Sequence, residues 1–279
     1  MRVVDDHAIR TQGAIRFRSE YHYAVFEYWR SAKVLRFLER NGVLQLGRVL
    51  DDGCGGGGMC VSLGEETGLV VGIDLTNRFG AAGVPLAREK QVDTVRFSVA
   101  DAVALPFADG VFDTVLSHAV IEHVADPRAY LLEIRRVLRT GGRCYLQTQP
   151  YLSPSGAHLP RLRIPLPLHL LLGRTVAFRV SRWLAAHAPG MLDVPREGSS
   201  FLTTARPGEI KQDDLLNRVT VRSLRKQIAG ARFRVLREDL YPNGLAKRWL
   251  PAPLLRSLPS VPFARDVLVT NMEYLLQAE

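Results

Sequence analysis

The residues with the clearest chemical use are the glycines 53, 55, 56, 57 and 58, which follow the apolar pair Val49-Leu50 in the run VLDDGCGGGG. The apolar pair reads as the end of a buried strand, and the glycines leave no side chain where that strand turns into a helix. A bare backbone there can press against a ligand, and the N–H groups opening the helix would face something negative. Asp51 stands two residues ahead of Gly53, and Asp74 follows Gly53 by 21 residues at the tip of the next strand signal. A carboxylate at that distance can accept two hydrogen bonds from a ribose diol. Asp101 ends the third strand signal, where it can take the exocyclic amine of adenine while the Ala102 N–H meets a ring nitrogen. A glycine turn alone is weak; with these acids it reads as a site for a nucleoside-bearing ligand.

Four histidines lie where a proton could be moved. His118 and His123 flank the end of the fourth strand signal, and His158 lies in SPSGAH, just past the fifth. His118 is a candidate for contact with a ligand or acceptor, and His158 is the favoured general base or metal ligand. His123, opening a helix in Glu122-His123, and His169, inside PLPLHLLL, read as structural. Cys54, Cys60 and Cys144 have neither zinc spacing nor a disulfide framework. No compact metal-ligand spacing occurs, so a divalent ion would need ligands distant in sequence.

These residues need strands to carry them. Strand signals at Arg48–Asp52, Leu69–Leu75, Val95–Ala100, Phe112–Ala119 and Gly142–Gln149 alternate with helical or loop stretches, including a helix over Arg128–Arg139. That alternation predicts an α/β fold, a doubly wound and mostly parallel sheet with right-handed crossovers. Ligands on such a sheet sit at the carboxyl ends of the strands, where the acids fall. Upstream, a helix over Tyr21–Arg40 puts Val25, Tyr28, Trp29, Ala32, Leu35 and Leu38 on one stripe and Glu27, Arg30, Lys33 and Arg36 opposite, with Asn41-Gly42 as its stop. Downstream, the Pro-rich and Arg-rich stretch 151–214, with a helix over Arg174–Ala186, breaks the alternation as an insertion after strand 5. A helix at Val221–Ala229 and strands at Phe233–Tyr241 and Asp266–Leu276 return to the core. The expected division is 1–47 as an N-terminal cap helix region, 48–150 as the ligand-binding core, 151–214 as a lid, and 215–279 as the rest of the sheet.

The 279 residues are 47% hydrophobic, enough for one substantial core. Residues 1–150 carry 18 basic and 18 acidic side chains, so the net charge of +9 belongs entirely to the second half. A basic half can meet nucleic acid, a lipid surface or an anionic small molecule, or be only a solvated surface. No apolar run approaches a membrane-spanning length, and Asp5 and Asp6 stand where a signal peptide would be apolar, so the expected location is the cytoplasm.

The glycines with Asp51, the acid Asp74, the pair Asp101-Ala102, and the tail running from DGVFD (109–113) through Glu122-His123-Val124 to Leu138-Arg139-Thr140-Gly141-Gly142 match a known family in order and spacing. Over residues 48–150 the chain resembles the class I S-adenosylmethionine-dependent methyltransferases. The resemblance implies a seven-stranded Rossmann-like sheet ending in an antiparallel edge pair. It also implies adenosylmethionine held by Asp51, Gly53, Cys54, Gly55, Gly57, Asp74, Leu75, Asp101, Ala102, Ser117 and His118. A helix before the glycines commonly covers the cofactor in this family, which adds Tyr21, Tyr23 and Arg30 as candidates. Asp52 departs from the pattern, which has an apolar residue there. The segment around His158, with Leu216-Asn217-Arg218, resembles a subgroup acting on sugars and secondary metabolites, which implies O-methylation of a hydroxyl with His158 and His118 as catalytic residues. The insertion could instead serve an oligomer contact or a shallow membrane-surface element. Competing readings are C-methylation or cyclopropanation of a lipid at a membrane surface, a nicotinamide oxidoreductase, and a non-catalytic relic that binds a partner. Nucleic acid is disfavoured as a substrate because no aromatic-basic platform is present.

Overall fold

A computed structural model describes residues 4–16, 18–154, 156, 168–191 and 217–279. His158 and most of the expected insertion lie outside the described residues. Seven strands form one sheet: β1 (Arg48–Asp52), β2 (Leu69–Asp74), β3 (Val95–Val99), β4 (Phe112–His118), β5 (Leu138–Thr148), β6 (Phe233–Pro242) and β7 (Val269–Ala278). Their spatial order is β3-β2-β1-β4-β5-β7-β6, and β7 runs antiparallel to both of its neighbours. The chain moves outward from β1 to β3 and then returns to β4 on the other side of β1. Such a reversal opens a crevice at the carboxyl ends of β1 and β4.

Helices cover both faces. On one face α2 (Glu20–Arg40), preceded by α1 (Asp6–Ile15), lays Leu35, Phe37 and Leu38 over Val49, Leu116, Tyr145 and Leu275. The Phe37 and Tyr145 rings meet edge to face with centroids 5.4 Å apart. After β1 the same face carries α3 (Gly58–Gly64), then α4 (Arg78–Ala81) and α5 (Gly83–Glu89). On the other face α6 (Pro127–Val137) packs Tyr130 and Ile134 against Leu50, Val115 and Leu146. Helices α7 (Leu168–Leu172) and α8 (Arg174–His187) follow β5, and α9 (Val221–Gly230) returns to the α6 face through Leu224 and Ile228. Between β6 and β7 lie α10 (Gly244–Trp249), α11 (Ala252–Ser257) and α12 (Ala264–Leu268). Each fully buried aliphatic or aromatic side chain contributes about 1.5–3 kcal/mol.

Local signals set the helix ends. Ser19 caps α2 by accepting from the His22 N–H, and Asn41 with Gly42 (φ +82°) stops it. Asp126 caps α6 and Pro127 opens it, while Thr220 and Ser223 form a reciprocal capping box on α9.

The structure corrects four sequence expectations. Trp29, placed on the buried stripe of α2, is exposed, and Glu27, placed on the solvent side, is covered with only 12% of its side chain accessible. The cause is that α2 is buried on two sides, by the sheet and by the glycine loop, so a single apolar stripe misdescribes it. Strand β5 starts at Leu138 rather than Gly142, because a register shift between Phe112 and Thr114 lets Leu138 pair with Phe112. Asp266 lies in α12 rather than in the last strand, since its buried carboxylate accepts from the Val221 N–H at 2.5 Å.

Candidate active site at the carboxyl ends of β1, β2 and β4

The loop after β1 is shaped by backbone conformations that only glycine adopts without strain. Gly53, Gly55 and Gly57 have φ of +81°, +55° and +81°. Both the Gly53 and Cys54 N–H groups donate to the Ile73 carbonyl, at 2.9 and 2.7 Å, which pins the loop to the end of β2. Gly58 serves a different need: a Cβ there would come within 1.9 Å of the Ala24 carbonyl oxygen. Helix α2 can therefore lie directly on the loop, and it brings its polar residues over the ends of the strands.

Asp74 braces this arrangement. One carboxylate oxygen accepts from the Gly55 N–H at 3.0 Å and lies 3.7 Å from the Arg78 guanidinium; the other accepts from the backbone and hydroxyl of Thr76. Asp101 is exposed at the end of β3 and accepts from the Val103 N–H at 3.0 Å, while Leu75 is exposed and Ala102 half-buried. Cys54 is buried in the loop.

Asp51 is buried and takes a hydrogen bond from the Cys60 thiol at 3.1 Å; burial pushes its pKa up to about 6. Glu27 descends from α2 into the same region, and burial pushes it up to about 7, with Arg30 opposing and Asp51 adding to the rise. Arg30 pairs with Glu27 at 3.4 Å and also bears on Tyr23 and His118. Burial holds His118 well below the ordinary histidine range, so it is neutral at pH 7. Three buried atoms here have no hydrogen-bond partner among the described residues: Glu27 Oε2, Arg30 Nε and His118 Nδ1. Carboxylates, a guanidinium and a neutral imidazole with unused valences beside a bare backbone make a site for a ligand bearing both an ammonium and a carboxylate.

Of the residues expected from the sequence, the structure brings Asp51, the glycines, Asp74, Arg30, Tyr23 and His118 to one end of the sheet. Tyr21 is farther out, donating to Glu89. Ser117 is one residue from His118 but on the opposite face of β4, where it accepts from the Tyr130 hydroxyl at 2.7 Å. Near it Asp52 is fully buried beside Tyr130, and burial drives its pKa well upward. Glu122 is likewise buried, accepting from Thr148 at 2.8 Å, and burial pushes it up to about 7. His123 is exposed, whereas His169 is buried and bonded to the Tyr151 carbonyl at 2.7 Å. Glu27 is the residue that sequence reasoning missed. Its spacing, four after Tyr23 and three before Arg30, puts all three on one helix face and could have revealed it.

Residues 50–146 match the family model described as a methyltransferase domain. Over these residues the chain is similar to the class I adenosylmethionine-dependent methyltransferases. Among relatives of the methyltransferase domain, the uncharacterized methyltransferase YcgJ of Bacillus subtilis is 34% identical over 42% of this chain and 49% of its own. A ubiquinone biosynthesis O-methyltransferase of Cereibacter sphaeroides is 39% identical over 34% and 38%, respectively. A sterol 24-C-methyltransferase of Gibberella zeae is 30% identical over 60% and 46%. The chain thus spans less than half the length of these curated relatives. The fold is shared with the structure of geranyl diphosphate methyltransferase in complex with SAM, with a TM-score of 0.53, 20% identity and coverage of 93% of this chain and 90% of that one. Among the described residues no group of His, Cys, Asp and Glu is arranged to hold a metal ion, and no helix is long and apolar enough to cross a membrane.

Proposed function

We propose that this chain transfers a methyl group from adenosylmethionine to a small-molecule acceptor, and that the acceptor atom is a hydroxyl oxygen of a sugar or secondary metabolite. The observation that carries the reading is the set of unused buried atoms on Glu27, Arg30 and His118 beside the bare loop Gly53–Gly57. Their chemistry fits the donor: Glu27 and Asp51 suit its ammonium, Arg30 its carboxylate, Asp74 its ribose and Asp101 its adenine. When bound, the donor supplies an electrophilic methyl on a sulfonium. The protein's part is to align and dry the two reactants, and alignment alone can supply about 7–11 kcal/mol of a barrier.

A hydroxyl acceptor must lose its proton as the new carbon–oxygen bond forms. His118, neutral and with Nδ1 unengaged, can hold that proton at the end of β4. Its low basicity suffices, because an alcohol oxygen becomes strongly acidic as it is alkylated. His158, the base favoured by the sequence, lies outside the described residues and is the other candidate. The two are separated by kinetics: the alanine variant of the true base should lose turnover while keeping donor affinity, and full turnover in both variants would overturn the hydroxyl assignment. The reading as a whole is tested by calorimetry with adenosylmethionine and by methyl transfer from labelled donor to a panel of sugars and hydroxylated metabolites. Absence of donor binding would overturn it and restore the relic.

One observation favours a second reading, in which the acceptor is a lipid met at a membrane surface. The connection 244–263 carries Lys247, Arg248 and Arg256 and no acidic residue, and it exposes Trp249 (70%) and Phe263 (68%). Such a mixture suits an anionic bilayer. Co-sedimentation with anionic vesicles that weakens with salt would support it; failure to bind them would remove it.

A further inference from the structure

Away from the donor site, a pocket of about 550 Å³ lies between α2 and the outer pair of strands β6 and β7, on the sheet face that α2 covers. Its volume is that of a small-molecule site. Four cations line it, Lys33, Arg36 and Arg40 from α2 and Arg237 from β6. Two of them are already matched: Lys33 pairs with Asp6 at 3.3 Å, and Arg237 with Asp239 at 2.7 Å. Arg36 and Arg40 lie one turn apart on α2, and neither has an acidic partner among the described residues. The Arg36 Nε is buried without an acceptor. A buried guanidinium nitrogen left without an acceptor is costly, and an incoming oxyanion would supply one.

Three carboxylates share the lining: Asp6 and Asp239, paired with Lys33 and Arg237, and Glu273 on the floor. Glu273 accepts from the Tyr241 hydroxyl at 2.9 Å and from the Asn271 amide at 3.3 Å, and burial raises its pKa, which favours the neutral acid. Tyr241, whose oxygen can still accept, and Asn271, whose Oδ1 takes a hydrogen bond from the Gln147 amide, stand beside it where a hydroxyl could join this polar chain. We propose that this pocket is a second ligand site, which takes a small hydroxylated molecule bearing an oxyanion, a sugar phosphate or a sugar acid, with Arg36 and Arg40 gripping the charge and Tyr241 and Asn271 reading the hydroxyls. The assignment does not depend on what the donor site does.

The test is binding by the whole chain without donor, followed by calorimetry and by the shift of the unfolding midpoint. The probes are glucose 6-phosphate, glucuronate, inorganic phosphate and glucose. The two sugar anions should bind and raise the midpoint, and glucose should not. Their relative affinities identify the oxyanion as phosphate or carboxylate. Arg36→Gln with Arg40→Gln should weaken the sugar anions about tenfold or more while leaving adenosylmethionine affinity unchanged. Tyr241→Phe should weaken the sugar anions and leave inorganic phosphate alone. If neither sugar anion binds, or if both bind equally well to the double Gln variant, the site is overturned. If inorganic phosphate binds as tightly as the sugar phosphate, the hydroxyl-reading role of Tyr241 and Asn271 is overturned.

Discussion

The loop after β1 holds Gly53, Gly55 and Gly57 at positive φ, and the connection between β6 and β7 holds Phe263 there, at +64°. In the loop the absent side chains are what the geometry requires: a Cβ on Gly57 would lie 2.6 Å from the Phe97 ring, and one on Gly53 would lie 2.3 Å from Val120. In the connection a large aromatic side chain also stands at positive φ, with ψ −54°, and points into solvent. The first region is determined by close approach of backbone and neighbours, and buried charges with unused atoms surround it. The second is loosely constrained, basic and apolar on its surface. Under the proposed function, donor recognition belongs to the first half of the sheet, where substitutions should be expensive, and acceptor or partner recognition to the second, where they should be tolerated.

The largest effect expected from this contrast is at Gly58. Gly58→Ala forces a methyl group against the Ala24 carbonyl, so α2 must retreat from the loop. Overpacking of this kind costs about 1–3 kcal/mol, and donor binding should be lost with it because Glu27 and Arg30 move away. Gly68→Ala, where a Cβ meets nothing within 4 Å, is the matched control and should leave donor affinity intact. Thermal unfolding and calorimetry on the two variants check this; equal behaviour would dissolve the distinction between the loop and an ordinary turn.

Next comes Asp74→Ala. Removing a charged hydrogen-bond acceptor should cost about 1.5–3 kcal/mol, roughly a tenfold to hundredfold rise in the donor dissociation constant. Part of that loss will come from the Gly55 N–H, which Asp74 now holds. Unchanged affinity would remove Asp74 from the ribose role.

The buried acids make the donor site sensitive to pH in a direction that can be worked out. Asp51 and Glu27 are raised to about 6 and about 7, so each is protonated at mildly acidic pH in the free protein. A raised carboxyl pKa adds stability below the unfolded value and loses it as pH rises through the folded value. The free protein should therefore lose stability from these two groups between about pH 4 and pH 7. Donor affinity should move the other way, because an ammonium selects the ionised acids: it should fall by up to about tenfold per unit below about pH 7, where Glu27 protonates, and more steeply below about pH 6, where Asp51 joins it. Glu27→Gln should flatten the upper part of that profile, measured by calorimetry across the range. A donor affinity independent of pH would separate these acids from the ammonium.

Much of this donor half is readable in the sequence, because β1 to β4 place a diagnostic residue at each carboxyl end and the spacing between Gly53 and Asp74 fixes one strand-helix-strand unit. Glu27 is hidden from amphipathic spacing, which reports one buried face where α2 is covered on two; only its position on one helix face with Tyr23 and Arg30 points to it. The start of β5 is hidden because Thr140-Gly141-Gly142 reads as a break, while a bulge keeps it in the ladder. Asp266 reads as part of a strand because its partner, the Val221 N–H, is 45 residues away. The pocket of Arg36 and Tyr241 is invisible for the same reason on a larger scale, since its residues come from α2 and from strands at the other end of the chain.

The smallest effect is the most informative about the second half. A bulky residue in the left-handed region costs about 1–2 kcal/mol, and Phe263→Gly removes that strain. The new glycine also frees the unfolded chain, which offsets about 0.5–1 kcal/mol. Because the Phe263 side chain is mostly solvated, it returns little packing energy when lost. The net change should thus lie between neutral and about 1 kcal/mol more stable, with donor affinity untouched. Denaturant unfolding of the variant, paired with vesicle co-sedimentation, decides what the strain is for. If stability holds and vesicle binding falls, the conformation serves to present an aromatic side chain to a bilayer. If instead stability drops by more than about 1 kcal/mol, Phe263 is packed against a neighbour in solution, and the second half of the molecule is as tightly determined as the first.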